Sequence, residues 1–591
     1  MWLRSGDGNL GTSVARTIKG ESARYTAAMI GREGSAPAAS TAPARMVTSL
    51  PGDADWLPAR LGGLSDFRLV SVFAALLFLL AAWPLLLVTL PPFQDLPNHV
   101  ATAHIIAHPD LYPQYVFNGF FKSNGLLTLC LAAWTSLAGD HGLFAAARAF
   151  TAVVLAVNAV AWPLFVLRLA GRRHVASAAL LVWPLVHGFF VVMGMLNFAF
   201  AFGLSLILLA VLERQRADPT VVRGSVIAAL AGLLWFAHPL PLAVVGALVA
   251  LHALRAPGWP ARLAAARGLL LPLVPAVVLS AVAAERHLVK DAHTTASTAL
   301  SFSYLNPFEM VEHLWLDASG ALTRWGSMTI VPLALLACFA WRRRAVERAF
   351  FSRAALAALA AGYVALPETL SNWSYFHCRL VPFLWAGLAL RLPARLPRAV
   401  TGVLITCALA FSVVTGVDYV RLARDQAAFS AGIDAVPARA TLLPLLFRKS
   451  ATSDFTESLT HAWADYVIAK DTSAPLVFAV ERSYPITYRV FPPRALIPPA
   501  LESFAERSGT PARLCQAMGQ PSSDPTCGAA WRAMWADFWR QAAPRFTHVL
   551  AWGMTDQARA LVPSAYRRTF QAGPLEIFAR PAGSGDSGHP P

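Results

Sequence analysis

Charge is what this sequence has least of. Charged residues fill 14% of its 591 positions and hydrophobic ones 56%, whereas soluble domains carry roughly 25% charge. With a mean hydropathy of +0.50, that shortage excludes a soluble enzyme, a fibrous protein and a disordered chain. Cysteine is scarce as well. Six residues with no C-x-x-C pair do not make a disulfide scaffold. There is no Gly-rich phosphate loop and no internal repeat. Acid is short relative to base: 33 Asp and Glu against 49 Lys and Arg give a net charge of +16. The arginines stand in short clusters between apolar runs, which is the pattern of cytoplasmic loops and excludes nucleic acid as a partner.

What the chain does have is a series of uncharged runs. A membrane helix needs about 20 apolar residues. Residues 69–94 and 149–167 each suit one crossing. Residues 175–212 suit two, with a tip at HGFFVVMGMLN (187–197), because Arg172, Arg173, Arg214 and Arg216 flank both ends. Residues 224–254 also suit two, broken at AHPLP (237–241), where proline interrupts a helix. Then follow 268–284, 325–341, 354–367, 377–391 and 399–417. Placing every arginine cluster in the cytoplasm gives a polytopic α-helical membrane protein of eleven crossings, N-terminus inside and C-terminus outside. The transmembrane domain is read as 66–417, with outward loops 91–148, 285–324 and 368–376. The short apolar segment 125–139 is expected to be a juxtamembrane or half-inserted helix. Were it to span, every later segment would change sides.

The flanks differ. Residues 1–65 and 584–591 are read as disordered, and Met46 opens a plausible shorter start. Residues 418–583 are far more polar and read as an outward α/β domain. Strands are expected at PLVFAVER (475–482), FTHVLAWG (546–553) and LEIFARP (575–581), and amphipathic helices at 454–469 and 528–541. Cys515 and Cys527 are expected to pair if this region faces an oxidising compartment. Trp531 and Trp535 share a helix face and read as core or membrane-surface packing rather than a sugar site.

The sharpest chemistry lies in PPFQDLPNHVATAHIIAHPDLYP (91–113), directly after the first crossing. Asp95 and His99 stand four positions apart and share a face of a helix. A carboxylate just above the bilayer beside a histidine can serve as general base or metal ligand. The bland alternative is an Asp that only starts a helix. His104 and His108 have the same spacing, one used by zinc sites, but no third ligand is evident.

FQDLPNHVATAHII, with the stretches 187–210, LLWFAHPLPLA (233–243) and SNWSYFHCRLVPFLWAGLAL (371–390), resembles the GT-C class of integral-membrane glycosyltransferases. The likeness covers about residues 68–583 and rests on loose motifs. It implies a sugar taken from a polyprenyl-phosphate donor and passed, with inversion, to an envelope glycan or lipid acceptor on the periplasmic face. Asp95 matches the first-loop acid that acts as base toward the acceptor or helps hold a divalent cation such as Mg or Mn. Many members carry two adjacent acids, whereas Leu96 follows Asp95 here. The second acid, and a metal partner, is therefore sought at Asp110, Glu309, Glu312 or Glu368. Arg379 and Lys122 are the expected donor-phosphate ligands, each with interfacial snorkelling as its alternative. His187, Asn197, His238, Glu309, Glu312 and Glu368 are expected to line the shared cavity. The competing readings are a transporter or flippase-like protein, for which intramembrane polar groups mark a pathway, and a scaffold for envelope assembly.

Overall fold

The computed structural model describes residues 64–581 apart from 292–301, 371–373, 454, 481–483, 499 and 522–524. The expected disorder of 1–65 and 584–591 falls almost wholly outside these residues, and so does the end of the strand expected at 475–482.

Helix α1 (Asp66–Ala82) starts where the Ser65 hydroxyl accepts the Arg68 N–H. Helix α2 (Leu96–Ala107) carries the first-loop motif, and α3 (Leu126–Ala138) is the short apolar segment. Helices α4 (Leu143–Leu169), α5 (Val175–His187) and α6 (Leu196–Ala217) follow. The tip expected between the last two is present, broken by Gly188 and Gly194 at positive φ. Helices α7 (Val221–Ala237) and α8 (Pro239–Leu254) are separated by His238 alone, with proline opening α8. Beyond them lie α9 (Val274–Asp291), α10 (Pro307–Ser319), α11 (Val331–Arg342), α12 (Arg353–Ala365), α13 (Val381–Ala389) and the long α14 (Arg398–Ser430).

Among the described residues, six helical stretches are long and apolar enough to cross a membrane by length and composition: Asp66–Leu86, Leu143–Leu169, Arg172–Val192, Leu196–Ala217, Gly258–Ala283 and Arg398–Ala435. Eleven crossings were expected, and these six are the ones that both length and composition pick out. Helices α7, α8, α11 and α12 run to only 17, 16, 12 and 13 residues, and α13 has nine. The uncharged runs are there, but turns and prolines divide them. Helix α14 exposes Val403, Leu409 and Val413 along its length. Lipid tolerates such a face far better than water.

The C-terminal region is a four-stranded sheet with helices. Its order is β2 (Leu442–Leu446), β4 (His548–Trp552), β6 (Leu575–Ala579), β5 (Arg567–Ala572). The first two strands are parallel and the rest antiparallel. The expected strands at 546–553 and 575–581 are present, but 475–480 is turn and bend. The helix expected over 454–469 is regular only from Ala464 to Lys470 (α15). The region also contains helices α16 (Ala500–Ser508) and α17 (Pro525–Ala542). Trp531 and Trp535 on α17 are core residues, and both indole N–H groups donate to the Ser508 carbonyl, at 2.6 and 2.9 Å. A disulfide joins Cys515 to Cys527.

The first loop is not independent of this region. Strand β1 (Tyr115–Phe117) pairs antiparallel with β3 (Ile486–Tyr488). Ala101 and Ile105 of α2 belong to the same apolar core as Trp463, Trp535 and Val549. Helix α2 is therefore held from both sides, by the helical bundle and by the C-terminal region.

Candidate functional site

Asp95 occupies the N-cap position of α2. Asp at an N-cap ordinarily turns its carboxylate onto the first-turn N–H groups, but this one makes no capping hydrogen bond. Pro97, near the helix start, has no N–H to offer. The Asp95 backbone is fixed by the tip between α5 and α6. Gln94 N–H donates to the Val192 carbonyl at 3.3 Å and Asp95 N–H to the Met193 carbonyl at 3.1 Å.

This contact depends on a glycine. Gly194 sits at φ +78°, and a Cβ there would lie 2.6 Å from Leu96 N and 2.8 Å from Asp95 N. Gly194→Ala should therefore destabilise the chain by about 1–2 kcal/mol or more, the penalty of a left-handed alanine alone. A thermal melt in detergent checks this. An unchanged melting temperature would mean that the tip moves freely.

The Asp95 side chain faces His461 instead, with Oδ1 3.4 Å from Nε2. The orientation of that imidazole follows from its neighbours. Phe478 N–H donates to Asn98 Oδ1 at 3.1 Å, which leaves the Asn98 amide nitrogen free to donate. Nδ2 donates to the Leu476 carbonyl at 2.8 Å and to His461 Nδ1 at 3.2 Å. With Nδ1 accepting, the ring proton sits on Nε2, the nitrogen nearer Asp95. Asn98 also explains why 475–480 is not a strand: that segment gives backbone groups to a side chain of α2 rather than to a ladder.

A cavity of about 260 Å³ opens on Asp95. Gln94, His99, Asn197, His238, Arg379 and His461 are among its walls. Burial holds the His99 imidazole down at about 4, with the Asp95 charge opposing and His461 adding to the drop. His99 is thus neutral at neutral pH and shapes the site without donating a proton. Phe478 and Tyr484 stack at 5.6 Å on the same wall. Such an apolar shelf suits the face of a sugar ring.

Arg379 also lines this cavity, from the turn His377–Leu380 before α13, and is almost wholly buried. Nη1 lies 2.7 Å from His238 Nε2, Nη2 donates to the Ser374 carbonyl at 3.3 Å, and the guanidinium covers the Phe198 ring. Its Nε is buried without a hydrogen-bond partner. A buried guanidinium with an unused donor beside a cavity is ready for an anion.

The structure separates the remaining expected residues. Asn197 lines the cavity, accepts Leu127 N–H and donates to the Asn124 carbonyl, both at 2.8 Å. His187 does not line it. Its ring is buried between the Tyr419 hydroxyl at 2.9 Å and the Gly320 carbonyl at 3.3 Å, and bolts the tip to α14. Lys122 is half-buried and not among the lining residues, although its neighbours Ser123 and Asn124 are. Glu309 is exposed and caps its own helix from Asn306, and Glu312 is exposed on the same helix. Glu368 stands one residue outside the lining, where Thr369 takes its place. Asp110 is exposed and also outside. Neither Asp110 nor Glu309 is among the residues that line the cavity at Asp95.

The second acid in this cavity is one that the sequence did not suggest. Glu502 of α16 lines it, and its Oε1 is buried with no hydrogen-bond partner. Burial pushes its carboxyl above the usual range, His461 opposing and the Asp95 charge adding to the rise. No local signal marked Glu502 or His461. Both lie in the region read as a separate domain, and only folding brings them over α2.

No family model matches this chain, and no curated protein matches it. Among solved structures, the apo-state crystal structure of ArnT from Cupriavidus metallidurans is similar at 13% identity, with a TM-score of 0.48, covering 87% of this chain and 98% of that one.

Proposed function

We propose that this chain is a glycosyltransferase of the bacterial inner membrane. It moves a sugar from a polyprenyl-phosphate donor to an envelope glycan or lipid acceptor at the periplasmic face. The observation that carries the reading is the Asp95 carboxylate, which sits at a helix start without capping it and is turned into a cavity that also receives Arg379.

The chemistry follows from these groups. Asp95 takes the proton of an acceptor hydroxyl. The hydroxyl oxygen attacks the anomeric carbon, and the bond from that carbon to the phosphate oxygen breaks. Polyprenyl phosphate leaves with the electron pair, and the charge that grows on it is met by the Arg379 guanidinium. Attack from the side opposite the phosphate inverts the anomeric carbon. The aromatic pair Phe478 and Tyr484 holds the sugar face, and the apolar helices admit the prenyl chain from the lipid. No step is assigned to a metal.

The reading is tested with purified chain in lipid, a polyprenyl-phosphate sugar labelled in the sugar, and membranes from a deletion strain as acceptor. Label moving to the envelope fraction, with release of polyprenyl phosphate, is expected. Transbilayer movement of the intact donor without release would replace the reading with transport.

His461 stands 3.4 Å from Asp95 and acts through it, so His461→Ala should lower kcat by roughly 10-fold, equivalent to about 1.4 kcal/mol. The donor KM should stay unchanged. His461→Gln keeps an N–H donor and should retain more activity than the alanine variant. Equal losses in the two, or a loss seen in KM alone, would make His461 a packing residue only.

A further inference from the structure

At the end of α2 remote from Asp95 stand His104 and His108. The fold supplies the ligand that their sequence spacing lacked. Asp140, in the turn Asp140–Gly142 after α3, places Oδ1 3.1 Å from His104 Nδ1 and Oδ2 2.9 Å from His108 Nε2. The ligand atoms of these three residues lie within 4.8 Å of one another. Asp471, from the C-terminal region, sets Oδ1 3.1 Å from the other ring nitrogen of His104. We propose that His104 Nδ1, His108 Nε2 and Asp140 bind a divalent transition metal, zinc by preference, with Asp471 accepting the His104 Nε2–H.

His104 has a carboxylate oxygen 3.1 Å from each ring nitrogen, which fixes the orientation of the ring. The spacing suits a metal. Bonds of about 2.0–2.1 Å in a tetrahedron place neighbouring ligand atoms about 3.3 Å apart, close to the 3.1 and 2.9 Å seen. A carboxylate behind a ligating histidine is the usual outer support of a zinc site, fixing the tautomer and the ring. His104 is 1% exposed, while Asp140 and His108 are 31% and 37% exposed, so ions have access and a water can fill the fourth position.

None of the four residues lines the cavity at Asp95. The metal is therefore structural. It ties α2 to the turn after α3 and, through Asp471, to the C-terminal region, steadying the helix that carries Asp95 and Asn98 at its other end. This inference does not depend on the transferase reading.

The test uses the full chain without an affinity tag, stripped with a chelator in detergent and dialysed against Zn(II) or Co(II). About one equivalent of metal at this site is expected to be retained. The Co(II) form should show visible bands without a thiolate charge-transfer band. That separates this site from the other metal-sized cluster among the described residues, His313, His377 and Cys378, which contains sulfur. His108→Ala, at a partly exposed position, should abolish the visible bands and weaken zinc binding by about 100-fold or more, and Asp471→Asn should weaken it by about 10–100-fold. Zinc should raise the melting temperature of the wild type and not that of His108→Ala. A wild type that retains no metal, its His104 ring held as imidazolium between two acids, overturns the proposal. So do equal affinities or equal melting shifts in wild type and His108→Ala.

Discussion

Asp95→Asn is expected to lower kcat for sugar transfer by about 10²–10⁴-fold, the range that a positioned general base contributes. The amide has nearly the same shape as the carboxylate and offers an acceptor oxygen to His461, so the fold around it should hold. The backbone of residue 95 is fixed by Met193 and its side chain by no cap, so the substitution removes charge and basicity and little else. Membrane abundance and melting temperature should stay at wild-type values, and donor binding should change little. Transfer is measured with labelled donor in proteoliposomes. A kcat within a factor of a few of wild type would remove Asp95 from the chemistry, and the proposed function would lose the observation that carries it. Glu502→Gln offers a contrast. Burial raises that carboxyl and no step is assigned to it, so the amide variant should cost far less.

The second large effect is expected at Arg379. Arg379→Ala should reduce kcat/KM for the lipid donor by about 10²–10³-fold, as loss of a preorganised group facing transition-state charge does. The guanidinium is held by His238 and Ser374 and covers Phe198, so its geometry is set before the phosphate arrives. Arg379→Lys keeps a charge but not the planar fork, and should recover only part of the loss. The donor KM should rise more in Arg379→Ala than in Arg379→Lys. Equal effects in the two would show that the arrangement of donors is irrelevant there, and snorkelling to the interface would then be the better account. Because removing a buried cation also empties space beside His238, melting temperatures must be compared alongside the kinetics.

The separate roles of these residues show where sequence patterns stop. The tip at 187–197 was legible because a run of 38 uncharged residues with arginine at both ends is too long for one helix. The break at 237–241 was legible because proline cannot continue a hydrogen-bonded turn. His187 misled because a polar residue at an apolar tip looks the same in sequence whether it faces a cavity or a tyrosine. Glu309 misled for a related reason. An acid three residues after Asn306 is a helix-capping pattern, and the structure uses it as one.

Eleven crossings are expected from apolar length, while six described stretches are also long enough as helix. Residues 325–341 are uncharged throughout, but their regular helix α11 has only 12 residues.

The sequence by itself determined that this chain is built of apolar helices, that a more polar α/β region follows them, and that Asp95 stands where the first helix gives way to a loop. Those facts are written in local periodicity and charge, which need no partner. Tertiary structure alone decided what surrounds Asp95. Asn98 meets His461 across 363 positions and Phe478 across 380, and at such separations a single side chain leaves no pattern in either segment. It leaves only a hydrogen bond, which exists once the chain is folded.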